Sequence, residues 1–212
     1  MHIIEKYDRQ FEYFGILINL LIAYQFYAIW SNPSIHDAGV VSTLAALMAF
    51  EFIMVHSGVF MAIMPKKISL YILFPVYGLF ALAFNAMTES NIILISYLLV
   101  IFNRMRFAFS DVSPALKKRA MLTSVLAVLA YFFLIFAVVF SMDFIPSLGL
   151  NKDFLEISGY NAAKTSGGIF IDTPHIAICF GLIYYCILVL IEVLLLKRTF
   201  SNTPSPINMT DL

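Results

Sequence analysis

Long apolar segments, separated by short polar connections, set the pattern of the chain. A membrane-spanning helix needs about 20 mostly apolar residues in succession. Six segments meet this requirement, and they cover about residues 11–31, 39–64, 68–87, 91–109, 115–142 and 174–197. The pattern predicts an all-α fold, a polytopic transmembrane helical bundle of six spans that occupies residues 1–200 as one domain.

Proline and capping residues mark several boundaries of these segments. Pro65 stops the second segment, whereas Thr173-Pro174 opens the sixth. A threonine hydroxyl can cap the free N–H groups of a first helical turn, and proline fits the first helical position. Pro75 lies inside the third segment, so we expect a kink there and a backbone carbonyl freed near Tyr71.

The amino-acid composition agrees with a membrane environment. Of the 212 residues, 61% are hydrophobic and 12% are charged, whereas soluble domains average about 45–50% apolar and about 25% charged residues. A soluble fold of this length could not bury so much apolar surface, but a lipid bilayer can solvate the outside of a bundle. The formal net charge of zero gives no indication of a nucleic-acid partner.

The lysines and arginines are distributed unevenly between alternate connections. Cytoplasmic connections of membrane proteins are enriched in these residues. If the N-terminus is cytoplasmic, eleven of the 13 basic residues lie on the cytoplasmic side, and only Lys152 and Lys164 lie outside. The distribution predicts that both ends are cytoplasmic (N-in/C-in). The compact connections favour a multi-pass protein of the cell membrane, by default the bacterial inner membrane.

The longest connection, about residues 143–173, is predicted to be external. It contains several glycines and two apolar patches, Phe154-Leu155 and 169–171, so it could fold back over the mouth of the bundle. Connections of this length are often functional or flexible. The polar residues 201–212 predict a disordered cytoplasmic tail.

Glu51 lies near the middle of the second segment and is the first candidate functional residue. A carboxylate at the bilayer centre is costly, and such side chains usually face the bundle interior or a cavity. They often mark a proton path, an ion path or a ligand site. The structural alternative is a protonated carboxyl group that only hydrogen-bonds a neighbouring helix.

His56 and Asn85 are further candidates for this ligand or proton site. His56 follows Glu51 by five residues, which separates the two side chains by about 140° around a helix. A mid-span histidine could relay protons, bind a metal or ligate haem, or it could only hydrogen-bond a hydroxyl group. A haem held by two histidines is disfavoured because His175 is predicted to lie at the outer end of the sixth segment, roughly 25 Å away in depth.

A second group of polar residues is expected on the external side. His36, Asp37, Asp172 and His175 carry imidazole and carboxylate groups, which suit zinc and similar ions. Their spacing matches no metal-binding motif, so the alternative is ordinary loop polarity and helix capping. The sequence therefore implies no particular cofactor.

Three functions remain open from the sequence. The first is a bundle that translocates a small solute, an ion or a proton through a polar site at Glu51. The second is a non-catalytic subunit or assembly factor of a membrane complex, which fits the small size and the 21 Phe and 11 Tyr residues. The third is an intramembrane metal or haem protein that uses His56.

Motifs of common enzyme classes do not occur in the chain. It contains no HExxH, GxSxG, P-loop or paired-cysteine motif. The sequence therefore indicates no catalytic residue and does not favour an enzyme. The expected partners are the lipid bilayer and either another membrane protein or a second copy of the chain.

Overall fold

The computed structural model describes residues 7–88, 91–105, 113–164 and 167–201, and every regular element in these ranges is helical. The all-α class predicted from the sequence is therefore confirmed for this part of the chain. The helices are α1 (Asp8–Ser31), α2 (Ala38–Ile63), α3 (Lys66–Asn85), α4 (Ile92–Met105), α5 (Pro114–Phe140), α6 (Lys152–Ile157), α7 (Tyr160–Ala163), α8 (Ile169–Asp172) and α9 (Pro174–Ser201).

Five of these helices, α1, α2, α3, α5 and α9, are long and apolar enough to cross a membrane. Their ends agree with the predicted segments to within four residues. The apolar part of α4 is shorter, Ile92–Ile101, within the described residues. The predicted fourth segment continues to residue 109, but residues 106–112 lie outside the described ranges, as does the predicted tail from residue 202.

Helix α3 contains a local change of winding rather than a regular helix throughout. A π-helical turn, Ser69–Leu73, directly precedes the segment Phe74–Asn85 that carries Pro75 near its start. Proline lacks the N–H that would bond the carbonyl four residues earlier. The wider π turn accommodates that missing bond, so the irregularity expected at Pro75 lies in the turn before it.

Helices α1, α5 and α9 surround the middle of α2, which is the most buried of the long helices. Helix α1 packs most extensively against α9, whereas α5 contacts both α9 and α2. Gly181 permits the close approach of α1 and α9, since a Cβ atom added there would lie 2.3 Å from Cε1 of the fully buried Phe26. Helix α3 packs against α4 and α2 on the other side.

The connection between α5 and α9 is folded against the bundle. The Trp30 indole donates to the carbonyl of Pro146, and the Trp30 carbonyl accepts from the Gly149 amide, both at 3.0 Å. Phe154 and Leu155 of α6 are buried in the core cluster. The segments α7 and α8 contact α2, so the connection covers one end of the bundle.

Candidate functional site

Glu51 is buried between α2 and α9, with 1% of its surface exposed. Two adjacent tyrosines of α9 hold its carboxyl group. The Tyr184 hydroxyl lies 3.0 Å from Oε1 of Glu51, and the Tyr185 hydroxyl lies 3.4 Å from Oε2. Because both carboxyl oxygens have a hydroxyl partner, the structure satisfies this polar group in an otherwise apolar interior.

A shell of aromatic rings surrounds this carboxyl group. Tyr131 of α5 packs edge-on against Tyr184, with ring centroids 5.4 Å apart, and donates its hydroxyl to the Met48 carbonyl of α2 at 2.8 Å. Phe26 of α1 stacks on Tyr185 at 5.8 Å. Side chains from α1, α2, α5 and α9 therefore fix the position of the carboxyl group.

The surroundings of Glu51 are compatible with both of its charge states. A tyrosine hydroxyl is both a donor and an acceptor. Tyr184 and Tyr185 can donate to an ionised carboxylate, and one of them can accept a hydrogen bond from the protonated carboxyl group. A carboxyl group that keeps its partners in both states can gain and lose a proton without a rearrangement of the helices.

His56 lies on the same helix as Glu51 but makes a different set of contacts. Its Nδ1 atom lies 2.6 Å from the carbonyl of Phe52, four residues earlier, and its ring packs edge-on against the Phe52 ring. Within the described residues, the structure does not join His56 to Glu51. The hydrogen bond fixes His56 to its own helix.

Asn85 lies at the turn between α3 and α4. Its Nδ2 group donates to Oδ1 of Asn91 at 2.9 Å, and its Oδ1 atom accepts from the Leu94 amide at 3.2 Å. These contacts cap the beginning of α4. In the described part of the chain, Asn85 makes no hydrogen bond to Glu51, so the three predicted site residues occupy three separate places.

The four residues predicted to form an external metal site also lie apart. The Asp37 carboxylate accepts from the Ser34 amide at 2.7 Å. Asp172 instead accepts from Lys164 at 3.0 Å and from the Gly168 amide at 2.9 Å. No group of three or more His, Cys, Asp or Glu side chains arranged to hold a metal occurs among the described residues, so His36, Asp37, Asp172 and His175 do not form a metal centre there.

Charge and burial shift two pKa values in the connection between α5 and α9. The Gly168 amide and then the Lys164 ammonium group hold the pKa of Asp172 below its usual value of 3.8. Burial, together with the negative charge of Asp172, raises the pKa of Tyr160 to about 12. The Tyr160 hydroxyl donates to the Ile171 carbonyl at 3.0 Å, so these groups hold α7 and α8 together.

A second acidic residue forms a polar contact inside the bundle. The Asn19 side chain of α1, which is 7% exposed, donates to Oε1 of Glu192 on α9 at 3.1 Å. The contact joins Glu192 to an amide from the middle of α1.

A third polar cluster joins α1 to α5. The Arg119 guanidinium group forms salt bridges with the Asp8 carboxylate at 2.5 Å and with the Glu12 carboxylate at 3.1 Å. The Arg119 side chain is only 8% exposed, and both carboxylates are less than one-fifth exposed. Arg119 therefore differs from its exposed neighbours Lys117 and Lys118, although the sequence places all three in one basic run.

Sequence reasoning missed the tyrosines, Asn19 and Arg119 as parts of these clusters. One signal was available, because a buried tyrosine hydroxyl usually requires a partner, and Tyr184-Tyr185 lies well inside an apolar segment. Nothing in the sequence paired these residues with Glu51, since the contact spans more than 130 residues.

The sequence was also compared with known proteins. No protein-family model matches it, and no curated protein or solved structure matches it significantly. The chain is thus an apolar helical bundle with a buried carboxyl site, and its own residues are the only basis for a functional proposal.

Proposed function

We propose that this protein translocates a small solute, an ion or a proton across a membrane, and that Glu51 is the central binding residue. The observation that carries the proposal is the burial of the Glu51 carboxyl group between two tyrosine hydroxyls in the middle of a membrane helix. A buried ionisable group is costly, and apolar packing would stabilise a bundle at lower cost. A binding role for a proton or a cation accounts for that cost.

The proposed bundle has six spans with both ends in the cytoplasm. Helix α4 is the remaining span in this topology, with about residues 91–109 crossing the membrane. The eleven basic residues on one side and the two on the other support the orientation. The connection that contains α6, α7 and α8 is then external, and the default membrane is the bacterial inner membrane.

Single-cysteine accessibility tests this topology. In a background without Cys179 and Cys186, Lys67→Cys and Glu156→Cys introduce thiols on opposite predicted sides. A membrane-impermeant maleimide added to intact cells should label the second and spare the first. Labelling of both positions, or of the first alone, would contradict the orientation.

Flux measurements in proteoliposomes test the function. Wild-type protein should raise the flux of protons, Na⁺ or K⁺ above that of empty liposomes, as followed with a pH-sensitive dye and with ion-selective indicators. Glu51→Gln should abolish that flux, because glutamine keeps the size of the side chain but cannot exchange a proton or carry charge. Glu156→Gln, at an exposed position of α6, is the matched control.

Two results would count against the proposal. A wild-type protein that raises none of these fluxes overturns the ion and proton forms of the proposal. A folded Glu51→Gln protein with wild-type flux would leave Glu51 a structural role only. Native mass spectrometry of the gently extracted protein complements the assay, since a second polypeptide would favour the subunit alternative and a bound haem or metal would favour the His56 alternative.

A further inference from the structure

Polar and aromatic residues recur on one face of α1. Glu12, Asn19 and Phe26 are spaced by seven residues, and seven residues of an α-helix make nearly two full turns with a rise of about 10.5 Å. The three side chains therefore share one face at three levels.

Each level of α1 contacts a different neighbour across the bundle. At the first level, Glu12 forms a salt bridge with Arg119 of α5 at 3.1 Å. At the second, the Asn19 side chain donates a hydrogen bond to Glu192 of α9 at 3.1 Å. At the third, the Phe26 ring stacks on Tyr185 of α9. Tyr185 and Glu192 are themselves seven residues apart on α9. The contact residues of α1 and those of α9 are thus separated by the same seven-residue interval.

The three levels form a series that ends at the central site. Tyr185, which stacks on Phe26, also donates a hydrogen bond to Glu51. Phe26 and the buried carboxyl group therefore lie at the same level of the bundle. The level of Asn19 and Glu192 lies about 10 Å from it along the helices, and the Arg119 cluster lies further toward the end where α1 begins. In the proposed topology, that end is cytoplasmic.

We propose that Glu192 is a second proton-binding site, and that with Asn19 it relays protons between the cytoplasmic side and Glu51. This inference rests on the proposed function and names the proton as the translocated ion. The Arg119 cluster stands at the cytoplasmic beginning of the path. Transfer between the levels requires intervening water molecules, because about 10 Å is too long for direct transfer.

The chemistry around Glu51 favours a proton over a metal cation. A hard cation such as Ca²⁺ takes six to eight oxygen ligands. The Glu51 carboxyl group instead lies 1% exposed among aromatic rings, with two tyrosine hydroxyls on its oxygens. A proton needs only one acceptor oxygen, which the carboxyl group supplies.

Proton transfer through Glu192 forms one O–H bond on its carboxyl group and then breaks it. Asn19 donates to Oε1 in either charge state, because an amide N–H remains a donor. Oε2 takes a proton from a hydronium ion on the cytoplasmic side, which leaves a water molecule there. The O–H bond then breaks, the proton passes through water to the ionised carboxylate of Glu51 and forms a new O–H bond there, and Glu192 returns to the carboxylate.

Proton flux in proteoliposomes tests the relay. With an imposed potential and a pH-sensitive dye inside, Glu192→Gln should slow wild-type flux by about 100-fold, the size of effect expected when one acid–base group is removed. Glutamine retains an oxygen that accepts from Asn19, so the α1–α9 contact survives. Glu156→Gln is again the control, and Asn19→Leu should slow the flux less than Glu192→Gln does.

The outcomes separate this inference from the proposed function. If Glu51→Gln abolishes proton flux but a folded Glu192→Gln protein keeps the wild-type rate, the relay is wrong and the central site stands. If wild-type protein moves Na⁺ or K⁺ but no protons, the identity of the ion is wrong. If it moves none of them, the relay fails together with the ion and proton forms of the proposed function.

Chemical labelling gives a second readout that does not depend on flux. A hydrophobic carbodiimide reacts with protonated carboxyl groups in apolar surroundings. Peptide mass spectrometry should find adducts on Glu51 and Glu192 but not on the exposed Glu156. A Glu192 that remains unmodified while Glu51 is labelled would overturn the proposal that Glu192 binds a proton.

Discussion

The Tyr184 hydroxyl donates to the Glu51 carboxyl group across 3.0 Å, which ties the middle of α9 to the middle of α2. The neighbouring Tyr185 reaches the second oxygen at 3.4 Å, near the limit of hydrogen-bond geometry. The two tyrosine hydroxyls therefore lie at different distances from the same carboxyl group, and the difference should appear in the free energy of unfolding when each hydroxyl is removed.

Removal of the shorter bond should cost more than removal of the longer one. We expect Tyr184→Phe to lower the free energy of unfolding by about 1–2 kcal/mol, since the variant keeps the ring but leaves a buried oxygen with one partner fewer. Tyr185→Phe should cost less. Denaturant titration in detergent micelles measures both, and a larger loss for Tyr185→Phe would contradict the assigned geometry.

Gly181 should be intolerant of even one added methyl group. A Cβ atom there would lie 2.3 Å from the ring of Phe26, which is fully buried. We expect Gly181→Ala to destabilise the protein by about 1–3 kcal/mol. The double variant with Phe26→Leu should recover part of the loss, because the smaller side chain vacates the space.

Gly167→Ala provides the control for that comparison. Its added Cβ would lie 3.6 Å from the Asp172 carboxylate, which is an ordinary contact distance. The thermal midpoint in detergent should stay near wild type. Equal losses from both glycine substitutions would show that close packing between α1 and α9 is not the cause.

Arg119 should matter far more to stability than the lysine before it. Arg119→Ala removes the cation that bonds Asp8 and Glu12 in a partly buried position, so we expect a loss of about 2 kcal/mol. Lys118→Ala changes an exposed side chain and should be nearly neutral. Chemical denaturation of both variants decides the point, and equal losses would contradict an interhelical role for Arg119.

Acid should loosen the connection between α5 and α9 through Asp172. Its pKa is lowered in the folded state by the Gly168 amide and by Lys164. The contribution to stability is therefore present above the ordinary value of 3.8 and is lost as the pH falls through the lower folded value. Cleavage of the segment by an acid-active protease should rise over that interval.

Asp172→Asn should remove this pH dependence and make the segment susceptible at higher pH. Asp153→Asn changes an exposed aspartate of α6 and should leave the cleavage profile unaltered. A wild-type profile that persists in Asp172→Asn would assign the acid sensitivity to another group.

The hydrophobic pattern predicted the long helices well but the polar contacts poorly. Span length and proline positions depend on local physics, namely the thickness of the bilayer and the backbone chemistry of Pro65 and Pro174. The sequence also predicted the burial of Glu51, because a carboxylate in the middle of a span usually faces the bundle interior.

The partners of Glu51 depend instead on how distant helices pack. Asn85 was predicted to accompany Glu51 because both are polar, yet its bonds to Asn91 and Leu94 cap the next helix. Arg119 sits in a basic run that predicts membrane orientation equally well with or without a buried ion pair. Helix register, which sequence pattern does not determine, decides such pairings.

The extensive packing of α1 against α9 has a consequence for biogenesis. Ribosomal synthesis delivers α1 to the bilayer long before α9 exists, so the first helix waits there without its main neighbour. During that interval, Asn19 lacks Glu192, and its amide must find water or lipid headgroups instead. The bundle can therefore close around α1 only late in translation, and a nascent chain stalled before α9 would present to membrane proteases a helix whose Asn19 amide lacks its partner.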